Sequence, residues 1–275
     1  MIPLRDSRAS QTFPAVTVIL IVMNLLIFLY QGFLTTQGTR LNDGIAWQDR
    51  GYAPPAFDPG TYRTYVLTGG QPTLYPMRQD EYFLVRFALV PAEFLKGTDL
   101  PPMIPVPIWM TLFTSMFLHG GLLHILGNML YLWVFGDNVE DAMGHGRFLL
   151  FYLLCGVAAG FAQMAVAPDS PVPQIGASGA IAGVLAAYFF LFPQARVLTL
   201  VPIFFFLRLV AIPAVLLLGL WFLFQLVGAG SGAAGEGTAW FAHIGGFVAG
   251  AGLVFLLRRR GVAVGLWEMF RRRAP

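Results

Sequence analysis

Gly176-Ala177-Ser178-Gly179-Ala180-Ile181-Ala182-Gly183-Val184-Leu185-Ala186-Ala187-Tyr188-Phe189-Phe190-Leu191-Phe192 carries no charge, and its only hydroxyls are Ser178 and Tyr188. Its length approaches the roughly 20 apolar residues a helix needs to cross hydrocarbon. Pro171 and Pro173 stand just before it, so Ser178 is expected in the first helical turn. There the backbone N–H groups lack intrahelical partners and the helix dipole favours negative charge. A nucleophile so placed has an oxyanion site beside it. Gly179 and Gly183 form a small-residue face that admits close approach of a second helix.

Outward from this stretch, five further apolar segments complete a set of six. The expected spans are 14–33, 121–136, 147–167, 177–192, 209–227 and 239–257. The 275 residues are 57% hydrophobic and 11% charged, against roughly 25% charged in a soluble domain. A soluble fold of this size could not cover so much apolar surface. Disorder and a secreted disulfide scaffold are excluded as well, since Cys155 is the one cysteine. The expected class is all-α: a single polytopic membrane domain over 1–275, with a long outer loop at 35–107 and a tail at 258–275. No internal repeat is visible.

Charge gives the orientation. With the N-terminus inside, the inner segments hold Arg5, Arg8, Arg147, Arg196, Arg208, Arg258, Arg259, Arg260, Arg271, Arg272 and Arg273. The six remaining basic residues all lie in the long loop, and long loops weigh little in the positive-inside rule. Both termini are expected to be cytoplasmic. The net charge of +3 is thus a topology signal facing a lipid bilayer, and no nucleic-acid partner is implied. Around Tyr82 to Phe94 and Met103 to Phe117 the long loop is too apolar for a free linker, and Trp109 reads as a headgroup anchor. The Gly- and Ala-rich loop at 228–238 is a candidate lid, and the fifth span a candidate gate.

Polar residues inside apolar spans carry the chemistry, because each costs free energy in hydrocarbon unless used or satisfied. Asn24, His124, Asn128, Gln163, Ser178, Gln225 and His243 are such residues. In the expected topology His124, Asn128, Ser178 and His243 share one depth, in the outer part of the bilayer. His124 and Asn128, at i and i+4, lie on one helix face. The glycines after His243 offer a face to Gly179 and Gly183, bringing His243 within reach of Ser178. No Asp or Glu lies in the outer half of any span, which leaves a Ser–His dyad as the hydrolytic option. Taken singly, a serine at a helix start is usually a cap, and small-residue faces usually serve packing.

These motifs resemble the rhomboid family of intramembrane serine proteases. The resemblance rests on His119-x4-His124-x3-Asn128, Gly176-x-Ser178-Gly179 and Ala242-His243-x2-Gly246-x3-Gly250, and six spans fit that architecture. It implies Ser178 as nucleophile and His243 as general base. It implies an oxyanion hole of His124, Asn128 and the Ser178 N–H. His119, Gly176, Gly179, Gly246 and Gly250 would support the site, and Glu140 would be structural. The implied substrates are transmembrane proteins cut in or near a spanning helix, without cofactor or metal. The scarcity of Lys against Arg associates the chain with a bacterial plasma membrane, its active site facing outward. In two places the pattern departs. Met110 and Thr111 replace a Trp-Arg pair, and Ala182 stands where some members place a Tyr under the catalytic His, so His243 must be oriented otherwise.

Other readings are weaker. Gly230-Ser231-Gly232-Ala233-Ala234-Gly235 fits a dinucleotide fingerprint but lacks the preceding strand. No H-E-x-x-H occurs, Asp137 has no partner aspartate in another span, and Cys155 reads as a small buried hydrophobe. A transporter would show broken helices and midplane charge. An inactive client-binding relative is the alternative that intact Ser178 and His243 argue against. The sequence leaves oligomeric state unread.

Overall fold

The computed structural model describes residues 1–37, 39–41, 76–97, 99, 104–203, 206–231 and 239–271. The protein is mainly helical. Strand β1 (Ile2–Asp6) precedes α1 (Ala15–Thr35). A two-stranded ribbon, β2 (Thr39–Leu41) and β3 (Pro76–Arg78), leads to α2 (Gln79–Phe87) and α3 (Pro91–Lys96). A segment of short turns contains α4 (Thr111–Thr114). Then come α5 (Leu122–Met143), α6 (His145–Val166) and α7 (Ser178–Leu191). The hairpin β4 (Arg196–Ile203) and β5 (Phe206–Pro213) leads to α8 (Ala214–Gly230), α9 (Trp240–Leu257) and α10 (Gly265–Arg271).

Among the described residues, three helices are long and apolar enough to cross a membrane: α1, α6 and α9. The segment Ile108–Phe117 with α5 makes a fourth if that pair, bent by 84°, is one span. Helices α7 and α8 are apolar but shorter, at 14 and 17 residues. This is an integral membrane protein, and the span count by length alone is three or four rather than six. The explanation for α7 is burial. Every residue from Gly179 to Tyr188 is buried, whereas Leu26, Leu29, Leu216, Val227 and Leu256 on α1, α8 and α9 are exposed. A central helix walled by other helices need not match the full hydrocarbon thickness, and the outer helices present their apolar sides to lipid.

Other expected boundaries need correction. The segment 209–227 begins as strand: Phe206–Pro213 pairs antiparallel with Arg196–Ile203, which pairs with β1. A chain expected to be all-α therefore carries a three-stranded sheet, its β-branched residues Val197, Thr199, Val201, Val210 and Ile212 suiting strands. Helix α5 continues beyond Gly136 to Met143, because its polar last turns have partners. Asn138 donates to Asp6 Oδ2 at 3.0 Å, and the Tyr188 hydroxyl donates to the same oxygen. Buried Glu140 accepts from the Val16 N–H at 2.9 Å, the Thr17 N–H at 2.8 Å and the Thr17 hydroxyl at 2.7 Å. It thereby satisfies orphan donors at the start of α1. Most of the expected outer loop at 35–107, and positions 232–238 of the candidate lid, lie outside the described residues.

The core runs through α5, α6, α7 and α9. Helices α7 and α9 touch backbone to backbone. A Cβ on Gly246 would sit 2.0 Å from the Gly179 carbonyl oxygen, and one on Gly250 would sit 2.4 Å from that of Gly183. Gly179 and Gly183 themselves meet Ala159 and Cys155 of α6.

Candidate active site

Ser178 is the first residue of α7. The chain before it is pinned from two sides. Leu89 and Gln174 exchange backbone hydrogen bonds of 3.1 and 2.8 Å, and the Gly176 N–H donates to the Ser115 carbonyl at 2.9 Å. Gly176 has φ +117°, and a Cβ there would lie 2.8 Å from His124 Nε2. Only glycine fits a positive φ at so close an approach. This bend turns the chain into α7 against the face of α5 that carries His124 and Asn128.

The close packing of α7 on α9 places His243 beside Ser178. His243 Nε2 lies 2.8 Å from Ser178 Oγ, within the reach required of a general base. On its other side, His243 Nδ1 lies 2.8 Å from Gln225 Oε1 of α8. The Trp221 ring lies beside the imidazole, centroids 6.0 Å apart and tilted by 40°. Gln163 of α6 accepts from the Ala242 N–H at 3.2 Å, fixing the start of α9 next to His243. At position 182 there is only the buried methyl of alanine.

Two polar side chains of α5 lie against Gly176, two residues before the serine: a Cβ there would meet His124 Nε2 at 2.8 Å and the Asn128 amide nitrogen at 3.8 Å. His124 Nδ1 accepts a long 3.4 Å hydrogen bond from the Gly120 N–H, so Nε2 carries the proton and is a donor. The Asn128 amide nitrogen is buried and has no hydrogen-bond partner among the described residues. A buried unpaired donor costs free energy unless something is to be bound there. Against His124 stands the His119 ring, in edge contact at 5.0 Å between centroids. The His119 backbone is held by Gln31 of α1 through two 3.3 Å hydrogen bonds. A cavity of about 860 Å³ opens at this point, lined among others by His124, Gln163, Gln174, Ser178 and His243.

The structure therefore gathers Ser178, His243, His124, Asn128, His119 and Gly176 at one locus, with Gly179, Gly246 and Gly250 in the helix contact beneath it. The sequence marks Gln225 only as a polar residue in an apolar helix; which side chain of the next helix it meets carries no local signal.

A helical membrane bundle with a serine–imidazole pair in the wall of a cavity is the class of protein that fold and site define. The Rhomboid domain model matches residues 107–260, more than half of the chain. The chain belongs to the rhomboid family. It is 46% identical over 79 residues to rhomboid protease GluP of Bacillus subtilis (strain 168), covering 29% of this chain and 15% of that protein. It is 37% identical over 95 residues to the mitochondrial presenilin-associated rhomboid-like protein of Mus musculus, covering 34% and 25%. Rhomboid-like protein 11, chloroplastic, of Arabidopsis thaliana is 36% identical over 80 residues, covering 29% and 28%. The matches thus span less than a third of each of these relatives' lengths.

Proposed function

We propose that this protein is an intramembrane serine endopeptidase that hydrolyses peptide bonds in or near transmembrane segments of other membrane proteins. The observation that carries the reading is the 2.8 Å contact between Ser178 Oγ and His243 Nε2 in the wall of the cavity.

A neutral hydroxyl is a weak nucleophile until a base takes its proton. Ser178 Oγ attacks the scissile carbonyl carbon as its proton passes to His243 Nε2. The carbonyl oxygen becomes an oxyanion, met by the Asn128 amide, the His124 Nε2–H and the free N–H groups at the start of α7. The C–N bond then breaks, and the imidazolium returns its proton to the departing amine. Water from the cavity attacks the acyl ester, giving its proton to His243. The ester C–O bond breaks as the imidazolium returns that proton to Ser178 Oγ, releasing the carboxylic product and restoring the serine and the neutral imidazole. His119 backs His124, and the glycine contacts between α7 and α9 hold nucleophile and base in register. Neither a cofactor nor a metal is invoked.

The topology that fits the arginine distribution puts both termini in the cytoplasm and the cavity on the outer side, in a bacterial plasma membrane. The test is cleavage of a single-span model substrate by the full chain in liposomes. Ser178→Ala and His243→Ala should each abolish cleavage while leaving thermal unfolding unchanged. Cleavage by either variant at the parental rate would overturn the assignment.

A further inference from the structure

Gln225 is out of place by the chemistry of its helix. On α8 its neighbours Leu223, Phe224, Leu226 and Val227 are 53%, 57%, 45% and 60% exposed, as suits a lipid-facing surface. Gln225 is 6% exposed, and the only other buried residues of the helix are Ala214, Leu217 and Leu218 near its start. An amide buried between apolar helices is costly unless its donors and acceptor are engaged. Here both ends of the amide are engaged. Its Nε2 donates to the Trp221 carbonyl at 3.2 Å, and its Oε1 faces His243 Nδ1 at 2.8 Å.

These two contacts decide a tautomer. Because the Trp221 carbonyl can only accept, it takes the NH₂ end of the amide and leaves the oxygen toward the imidazole. Oε1 is an acceptor, so Nδ1 must carry the ring proton. The lone pair then resides on Nε2, 2.8 Å from Ser178 Oγ. With the amide reversed, Nδ1 would have to accept and Nε2 would present a proton to the serine, the form that cannot act as base. The orienting partner is what gives a catalytic imidazole its tautomer and direction in triad enzymes, where a carboxylate supplies it. Position 182, directly after the first turn of α7, holds only a methyl group, so no aromatic ring at that position fills this role.

We infer that Gln225 is the positioning residue for His243, a neutral amide that holds the imidazole in its base form from the neighbouring helix α8. This rests on the protease reading above.

The experiment compares wild type, Gln225→Met and Gln225→Glu as full chains in detergent. It measures the rate of fluorophosphonate labelling and the kcat and KM for a single-span substrate. Met keeps the length of the side chain and removes the acceptor; Glu keeps an acceptor oxygen. Gln225→Met should lose about 10²-fold in kcat and in labelling rate, the cost of a misplaced catalytic group, with KM unchanged. Gln225→Glu should recover most of that loss. Labelling of Gln225→Met at the wild-type rate would overturn the inference and leave the protease reading standing. Equal losses in both variants with a raised KM would show a packing role and also overturn it. A wild type that neither labels nor cleaves would remove the protease reading itself, and the inference with it.

Discussion

Replacing Asn128 with Ala should lower kcat about 10²-fold, the usual cost of one oxyanion-hole donor, with KM and thermal unfolding little changed. The reason is the unpaired state of its buried amide nitrogen among the described residues. An amide nitrogen with no partner among the described residues has no bond there to lose, so its removal should be felt only when an oxyanion forms. Steady-state kinetics on the single-span substrate checks this, and an unchanged kcat would take Asn128 out of the oxyanion site. At this scale much is legible in the sequence. Histidine, asparagine and serine inside apolar runs stand out because hydrocarbon penalises them. Gln225 stands out on the same ground, yet its partner does not. The i, i+4 spacing that relates His124 to Asn128 is local, whereas the contact between Gln225 and His243 depends on how α8 lies against α9.

The contact of α7 with α9 is the element on which the site depends. A methyl at Gly246 would meet the Gly179 carbonyl oxygen at 2.0 Å, and backbone cannot rotate away as a side chain does. Gly246→Ala should therefore push α9 off α7, separate His243 from Ser178, and destabilise the protein by about 3 kcal/mol, the upper range for overpacking. On the same helix, a methyl at Gly252 would meet nothing within 4 Å among the described residues. Gly252→Ala should stay within about 1 kcal/mol of the parent and keep full activity. Thermal unfolding together with cleavage rates separates the two, and equal behaviour would contradict the packing described. Small-residue spacing makes this face visible in sequence. The β4–β5 hairpin is not visible there. Leu207, Leu209, Val210, Ala211 and Ile212 belong to a largely apolar run that leads directly into α8, and hydropathy does not distinguish an apolar strand from the start of a span. Antiparallel pairing with Arg196–Ile203 distinguishes them. The same limit applies to α5, whose acidic final turns look like a helix end until Asp6 and α1 supply their partners.

For the whole molecule, composition is enough to establish a membrane protein, and motif order is enough to suggest its family. The number of crossings is less legible, because α7 is short for a reason that composition cannot express: it is enclosed by its neighbours. That enclosure has a functional consequence. A short central helix leaves room beyond its first residue, and the cavity of about 860 Å³ lies there, with Ser178 in its wall. In the proposed reaction, water and a polypeptide would meet Ser178 there, a residue otherwise surrounded by apolar helices. The most direct measurement of this account is mass-spectrometric mapping of the fluorophosphonate adduct on the full chain in detergent. One adduct is expected, on Ser178, and it should disappear in His243→Ala. An adduct on another residue, or undiminished labelling of Ser178 in His243→Ala, would contradict it.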